Sequence, residues 1–181
     1  MILSDSELIE MLREPRTRRE GFAVLVKQYS EKLYWKVRRI VLSHEDANDV
    51  PQNVFIKVWN NLQNFQGKSS LSTWLYRIAI NESLDFLRKQ KLADKVSADE
   101  DVSVASRLMS DEYFDGDEVQ ARLQEAVARL PEVQRTVFNL KYFEEMKYSE
   151  ISQILNTSEG ALKASYHLAV KKITEYLHLF D

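Results

Sequence analysis

The chain has 181 residues, 44% of them hydrophobic, and a formal net charge of −3 at pH 7. This length suits two small hydrophobic cores, and the presence of only four glycines and three prolines favours long, uninterrupted helices. The absence of cysteine excludes a disulfide framework, thiolate zinc sites and a cysteine nucleophile, and it predicts a reducing compartment.

The N-terminal half begins with two predicted helices. The first should run from about Asp5 to Arg13 and the second from Arg18 to Leu42. Apolar residues recur every three or four positions in the second helix, which predicts a core helix with this inward-facing set: Phe22, Leu25, Val26, Tyr29, Leu33, Val37 and Ile40. The start, MILSDSELIE, lacks the basic region and apolar run of a signal peptide, and no apolar run approaches bilayer length. We therefore expect a cytoplasmic protein without membrane insertion.

The next helical pattern contains a proline. Its predicted buried stripe is Val50, Val54, Phe55, Val58, Trp59 and Leu62. Pro51 removes a backbone donor, so either a kink or a restart must follow, and we favour a restart with Asp49 as N-cap and Gln52 in a capping box. Asp46, Asp49, Gln52 and Asn53 then face outward together, although capping alone would also explain Asp49.

A glycine-containing loop, Asn64 to Ser70, leads into a tryptophan-led helix. Its predicted inward set is Leu71, Trp74, Leu75, Ile78 and Ala79, and its outward set is Thr73, Arg77, Asn81, Asp85 and Arg88. Such a hairpin could simply have a solvated polar side. However, the residues DANDV, Gln52, FIKVW, STWLYRIA, Asn81, Asp85 and Arg88 resemble the core-binding and minus-ten-reading domain of bacterial sigma factors of the extracytoplasmic-function (ECF) group.

This resemblance implies two sets of contact residues. The polymerase-docking set, against the clamp helices of the beta-prime subunit, is Asp46, Asp49, Gln52 and Asn53. The minus-ten set is Phe65, Gln66, Lys68, Ser69, Ser70, Arg77, Asn81, Arg88 and Lys89. We expect Trp74 to be core, whereas Phe65 is either core or a platform on which an unstacked base stacks.

Acidic residues dominate the segment that follows. Between Leu92 and Gln120 nine acids face only Lys95 and Arg107, so this segment carries −7 and the rest of the chain +4. We predict a flexible acidic linker over 92–117, with some helix near Ala105 to Met109. The predicted domains are therefore 1–91 and 118–181.

The second domain should begin with two helices. The first has the apolar set Val119, Leu123, Ala126, Val127 and Leu130. Pro131 opens the second, whose apolar set is Val133, Val137, Phe138, Leu140 and Tyr142.

The C-terminal segment has the spacing of a helix-turn-helix: YSEISQIL, a turn at Asn156 and Thr157, then a longer helix. Asn156 suits a left-handed helix end, and Ser158 suits an N-cap. The buried stripe of the second helix should be Leu162, Tyr166, Ala169, Ile173 and Leu177, opposite the outward row Lys163, His167, Lys171 and Thr174. A packed hairpin with solvated lysines is the competing interpretation.

The segment LPEVQRTVFNLKYFEEMKYSEISQILNTSEGALKASYHLAVKKI resembles the minus-thirty-five-reading domain of the same sigma group. The implied contact residues are Ser158, Lys163, Ala164, His167 and Lys171. Two departures concern this domain. Ser165, Leu168 and Val170 stand in a helix that usually carries several arginines, and Lys147 stands where a serine cap is usual, which predicts a weaker cap.

The sequence thus predicts an all-α protein of two small helical domains, the second containing a helix-turn-helix. By resemblance it is a transcription initiation factor whose partners are core RNA polymerase (beta-prime and beta subunits) and promoter DNA. An anti-sigma protein is a common regulator in this family, and the sequence leaves open whether this chain has one. The alternatives are a polymerase-independent helix-turn-helix regulator and an all-helical protein adaptor. We expect no enzyme activity, cofactor or metal site, since no catalytic motif is present and His44, His167 and His178 lack metal-ligand spacing.

Overall fold

A computed structural model describes residues 2–42, 44–93 and 116–180, and every regular element within those ranges is helical. The predicted all-α class is therefore confirmed. The chain divides into two compact units, Met1–Lys95 and Val96–Asp181. Residues 94–115 of the predicted acidic linker, with the short helix predicted near 105–109, lie outside the described residues, whereas Leu92 and Ala93 at its predicted start are helical. Among the described helices, none combines the length and apolarity needed to cross a bilayer.

In residues 2–42 and 44–93, the described part of the first unit, four α-helices are arranged around one long central helix. Its elements are α1 (Asp5–Arg13), α2 (Arg18–Val41), α3 (His44–Asn61), a 3₁₀ turn (Leu62–Asn64) and α4 (Leu71–Ala93). Helix α2 packs against α1, α3 and α4. The fully buried core side chains include Leu8, Leu25, Leu33, Val37, Val54, Val58, Leu71 and Leu75. The predicted helical periodicity therefore describes the observed core at Leu25, Leu33 and Val37 of α2, and at Leu71, Leu75 and Ala79 of α4.

Pro51 does not interrupt α3, so the predicted restart at Asp49 is wrong. The helix runs from His44 to Asn61 with Pro51 inside it. Ala47 and Val50, before the proline, and Val54, after it, are all buried. Because both halves of the helix bury the same side, tertiary packing offsets the local cost of the missing backbone donor. Asp49 is consequently an interior helical residue and not a cap.

Within residues 116–180, the described part of the second unit, there are four α-helices and two short turns of other helical types. Its elements are α5 (Glu118–Ala128), α6 (Glu132–Phe138), a π-helical turn (Asn139–Phe143), α7 (Tyr148–Leu155), α8 (Glu159–Leu177) and a 3₁₀ turn (His178–Phe180). Its core includes Ala126, Val127, Leu130, Phe138, Ala169 and Ile173. Helix α8 packs against α5, α6 and α7 and is the central helix of this unit.

Four residues predicted as apolar core positions are exposed instead: Trp59, Val119, Val133 and Tyr142. Val119 and Val133 lie in the first turns of α5 and α6, where fewer neighbouring side chains cover them. Tyr142 lies in the π-helical turn, whose extra residue per turn shifts the α-helical phase. Trp59 lies at the edge of the α2–α3 seam, where its ring packs edge-on against Phe22 at 4.9 Å.

Candidate nucleic-acid and docking interfaces

The predicted docking residues lie on the solvent side of α3. Asp49, Gln52 and Asn53 are exposed, and Asp46, one turn earlier, is half-buried. All four belong to one uninterrupted helix, so their spacing is that of a rigid helical face. Because the helix does not restart at Asp49, helix capping no longer explains this residue. Its carboxylate is exposed within the interior of the helix. We refer to Asp46, Asp49, Gln52 and Asn53 as the docking row.

Ile56 extends the docking row with an apolar side chain that the sequence prediction missed. It lies seven residues after Asp49 and three after Asn53, so the three side chains share one side of α3. Its side chain is 59% exposed. The sequence did contain a signal for this surface, because Ile56 is an apolar residue that falls out of phase with the buried stripe Val50, Val54 and Val58. An exposed isoleucine beside carboxylate and amide groups combines the apolar and polar contacts that a protein interface contains.

The loop between the 3₁₀ turn and α4 holds five of the predicted minus-ten residues. Gly67 adopts a positive φ of 70°, which favours glycine at this bend. The Ser70 hydroxyl accepts a hydrogen bond from the Thr73 N–H at 3.1 Å, so Ser70 caps α4 in addition to any role at the surface. Gln66 and Lys68 are exposed and Ser69 is half-buried. The loop is therefore held at its end and open along its middle.

The Phe65 ring lies 5.0 Å from the Trp74 ring, centroid to centroid. Both residues are half-buried, so Trp74 is not the core residue that we predicted. Its ring is tilted by 48° from the Phe65 ring. Each ring thus covers part of the other while leaving apolar surface at the base of the loop.

Helix α1 contributes a cation to this region, which sequence periodicity did not indicate. A cavity of about 190 Å³ lies between α1 and the loop, lined by Ile9, Leu12, Arg13, Arg18, Leu62, Gln63, Phe65 and Leu71. The Arg13 Nη2 atom would lie 3.8 Å from a Cβ added to Gly67. In contrast, Arg18 donates from Nε to the Leu12 carbonyl at 3.0 Å and so ties α2 to the end of α1. Arg13 is therefore the arginine that reaches the loop.

The polar side chains of α4 that we predicted to face outward are exposed or half-buried, and two of them form an ion pair. Asn81, Arg88 and Lys89 are exposed. Arg88 donates to Asp85 at 2.8 Å. Arg77 is half-buried, and its Nε makes no hydrogen bond within the part of the chain that the structure describes. Helix α4 therefore offers an amide and several cations spaced along its length.

The helix-turn-helix is observed where the sequence predicts it. Asn156 is left-handed, with φ 50° and ψ 48°, at the end of α7. The Ser158 hydroxyl accepts from the Ala161 N–H at 3.3 Å and caps α8. At the start of α7, Lys147 gives no side-chain cap, as predicted; instead its N–H donates to the Glu150 carboxylate at 2.9 Å. The start of α8 is therefore defined by its own serine.

The predicted minus-thirty-five residues share the exposed side of α8. Lys163, Ala164, His167 and Lys171 are all exposed, opposite the buried Leu162, Ala169 and Ile173. Lys171 pairs with Glu175 at 4.0 Å. Leu168 and Val170, which replace the arginines usual in this group, are also exposed. An apolar side chain there can contact the methyl group of thymine but cannot pair with guanine.

Comparisons with known sequences agree with the two units. The family models for Sigma-70 region 2 and Sigma-70 region 4 match residues 25–93 and 120–173. The ECF RNA polymerase sigma factor SigW of Bacillus subtilis is 33% identical over 82% of this chain and 84% of its own length. The RNA polymerase sigma-H factor of Pseudomonas aeruginosa is 30% identical over 96% of this chain and 93% of its own length.

Solved structures share the fold at lower identity. The sigma factor RpoE of Bartonella quintana, solved with the anti-sigma factor NepR, has a TM-score of 0.71 at 20% identity and covers 88% of this chain and 98% of its own. CnrH, solved with the cytosolic domain of CnrY, has a TM-score of 0.66 at 20% identity and covers 98% and 96%. Two sigma-70 family models match most of the chain, and the similar relatives align over most of their own length. The chain therefore belongs to the sigma-70 family of promoter-specific transcription initiation factors, in its extracytoplasmic-function group.

Proposed function

We propose that the docking row of α3 is the surface through which this sigma factor binds core RNA polymerase, at the clamp helices of its beta-prime subunit. The observation that supports this most directly is that Asp49, Gln52 and Asn53 are exposed in the interior of a continuous helix. A fixed set of acidic and amide groups suits a basic partner surface, and Ile56 adds apolar contact area at the end of the row. This assignment extends the family membership to particular side chains.

For the minus-ten element we propose the loop Phe65–Ser70 together with Arg77, Asn81, Arg88 and Lys89 of α4. Exposed loop groups beside an aromatic pair can hold an unstacked base, and the lysine and arginines of α4 can contact phosphates on either side. Arg13 of α1 joins this set because its guanidinium approaches Gly67. Single-stranded DNA with the minus-ten sequence is the corresponding ligand.

For the minus-thirty-five element we propose the exposed row of α8. Lys163 and His167 lie in the early turns, which usually enter the major groove, and Lys171 lies further along, where it suits a phosphate. Ser158 and Ala164 complete the face, with Ser158 defining where the helix begins. The second domain, predicted to span residues 118–181, is thus the unit that binds double-stranded DNA.

The chain acts, in this proposal, in the cytoplasm as a dissociable polymerase subunit without chemistry of its own. Phosphodiester synthesis belongs to the polymerase, and the sigma factor selects where it starts. An anti-sigma partner stays a prediction that rests on family membership.

In vitro transcription with purified core polymerase and genomic DNA tests the proposal. We expect promoter-specific transcripts only when this chain is added, and weak binding of the free chain to the same promoter duplexes. Tight, sequence-specific binding without polymerase would favour an independent helix-turn-helix regulator. A protein adaptor would give neither transcripts nor DNA binding, even with core polymerase present.

A further inference from the structure

Tyr148, the first residue of α7, places one aromatic ring beside two lysines from different elements. The Lys163 Nζ of α8 lies 5.7 Å from the ring centroid, and the Lys141 Nζ of the π-helical turn lies 4.9 Å from it. An ammonium group within about 6 Å of a ring is attracted by the negative charge of the ring face. The side chain predicted to read DNA is therefore in contact with a ring outside the recognition helix.

The position of the Tyr148 ring is fixed through other aromatic residues. Its edge meets the Tyr166 ring at 6.5 Å and 78°. Tyr166 in turn stacks on Phe138 at 5.8 Å and 14°, and Phe138 belongs to the buried core of the domain. Tyr148 is thus connected to the core of domain two, and its ring gives Lys163 a fixed surface.

Lys163 needs such a surface because of its place on α8. Successive residues of a helix are rotated by about 100°, so Lys163 lies at the edge of the exposed side that Ala164 and Lys171 occupy more centrally. A lysine has four rotatable side-chain bonds and carries its charge as a single point. An unrestrained Lys163 would spread its ammonium over several bases and phosphates, which lowers discrimination among bases.

Lys141 has a different set of contacts. Its Nζ donates to the Met146 carbonyl at 3.2 Å as well as lying near the Tyr148 ring. The π-helical turn that carries Lys141 thus brings a second positive charge to the ring, and like charges repel. This repulsion disfavours Lys163 positions that approach Lys141.

We propose that Tyr148 is a positioning residue for minus-thirty-five recognition: its ring restrains the Lys163 ammonium and so determines which base edge Lys163 reaches. The inference rests on the proposed role of Lys163. Tyr148 acts through Lys163 and requires no base contact of its own.

The test uses the full chain with core polymerase and a promoter library randomised across the minus-thirty-five element. Lys163→Ala first identifies the position at which Lys163 selects a base. Tyr148→Leu, which removes the ring, should relax preference at that same position by roughly two- to fivefold. Tyr148→Phe keeps the ring face and should retain the preference. In the Lys163→Ala background, Tyr148→Leu should produce no further relaxation there.

Tyr142→Leu is the matched control, since it removes an exposed tyrosine of the same domain that stacks on Phe138. It should leave the preference at the Lys163 position unchanged. Thermal unfolding and co-elution with core polymerase establish that each variant is folded, and Tyr148→Met replaces Tyr148→Leu if the latter is not.

Either of two results would overturn this inference and leave the proposed function intact. The first is a uniform loss of activity in Tyr148→Leu with every base preference unchanged. The second is an equal effect of Tyr148→Leu in the presence and absence of Lys163. If Lys163→Ala alters no preference while transcription still requires the chain, the proposed role of Lys163 fails and this inference fails with it. Complete absence of sigma-dependent transcripts with the wild-type chain would instead contradict the proposed function.

Discussion

Asp49 lies in the middle of a continuous helix, and this location determines how a charge reversal there should act. Asp49→Lys should abolish or strongly weaken co-elution with core polymerase, because like charges across an interface cost several kcal/mol. The helix should persist, since an exposed interior position accepts lysine readily. Size-exclusion chromatography with core polymerase and far-UV circular dichroism measure the two outcomes.

Glu31→Lys on α2 is the matched control for Asp49→Lys. Glu31 is also exposed and helical, so the substitution changes the net charge of the same domain by the same amount. Retained co-elution in Glu31→Lys and loss in Asp49→Lys would locate the effect on α3. If both variants bind core polymerase as the wild type does, Asp49 does not belong to the interface.

Lys36 provides a test of electrostatics inside the first domain. Its Nζ lies 4.0 Å from the Tyr76 ring centroid. Burial, followed by the charges of Arg39 and Lys32, lowers the pKa of Lys36 to about 8 from an ordinary value of 10.5. Below pH 8 both the folded and unfolded chains hold the proton. Between about pH 8 and 10 the unfolded chain retains more of it, so the contribution of Lys36 to stability rises with pH.

The free energy of unfolding of wild-type protein should therefore increase more between pH 7.5 and 9.5 than that of Lys36→Met. Urea titrations followed by tryptophan fluorescence measure this in domain one, because Trp35, Trp59 and Trp74 are the three tryptophans of the chain. Above about pH 10 the opposite trend begins, since burial raises the pKa of Tyr29 and Tyr76. Lys27→Met, at an exposed position of α2, should keep the wild-type slope. Equal slopes in all three proteins would contradict the assignment.

At the scale of elements, α8 should contain two kinds of DNA contact. Lys163→Ala should cost about 1–3 kcal/mol at one minus-thirty-five position and relax its base preference. Lys171→Ala should weaken all sequences alike and reduce the salt slope by about one unit. Transcription from the randomised promoter library, repeated at several salt concentrations, separates the two. Intact preferences in both Lys163→Ala and His167→Ala would mean that this face contacts only the DNA backbone.

The helix-turn-helix and α2 were predictable because local signals and tertiary packing agree there. Asn156 and Ser158 define their helix ends through their own backbone preferences and hydrogen bonds, which sequence alone reveals. At Pro51 the local rule and the packing disagree. The proline predicts a break, but burial on both sides of it maintains α3. A sequence pattern indicates the local cost of the proline, but it does not indicate the stabilisation that tertiary packing provides.

The candidate site was predictable where its residues come from one helix and less so where elements meet. The outward rows of α3, α4 and α8 follow from helical spacing alone. Arg13 beside Gly67 and Lys163 beside Tyr148 depend on contacts between elements separated in sequence. The π-helical turn also places Lys141 beside Tyr148, and the prediction assumed regular α-helical spacing for this segment. Those contacts require the tertiary fold.

At the scale of the whole molecule, charge is segregated along the chain. The −7 of residues 92–120 opposes a balance of +4 elsewhere, all of which lies in residues 1–91, so the segment that follows the net-basic first domain repels DNA. We expect neutralisation of Asp99, Glu100 and Asp101, as Asn, Gln and Asn, to raise the non-specific DNA affinity of the free chain by roughly three- to tenfold at low salt. Fluorescence anisotropy with a random-sequence duplex measures the affinity.

The position of those acids in the chain, and not only their charge, should matter. Converting Glu10, Glu20 and Glu31 to glutamine changes the net charge by the same amount at exposed positions of domain one. If the segment between the domains masks the DNA-binding surfaces, its neutralisation should raise affinity more than the control does, and the difference should disappear at high salt as screening shortens the repulsion. Equal gains in the two variants would show that DNA responds to net charge alone. An unchanged, equally salt-dependent affinity in the first variant would exclude a masking role for these three acids.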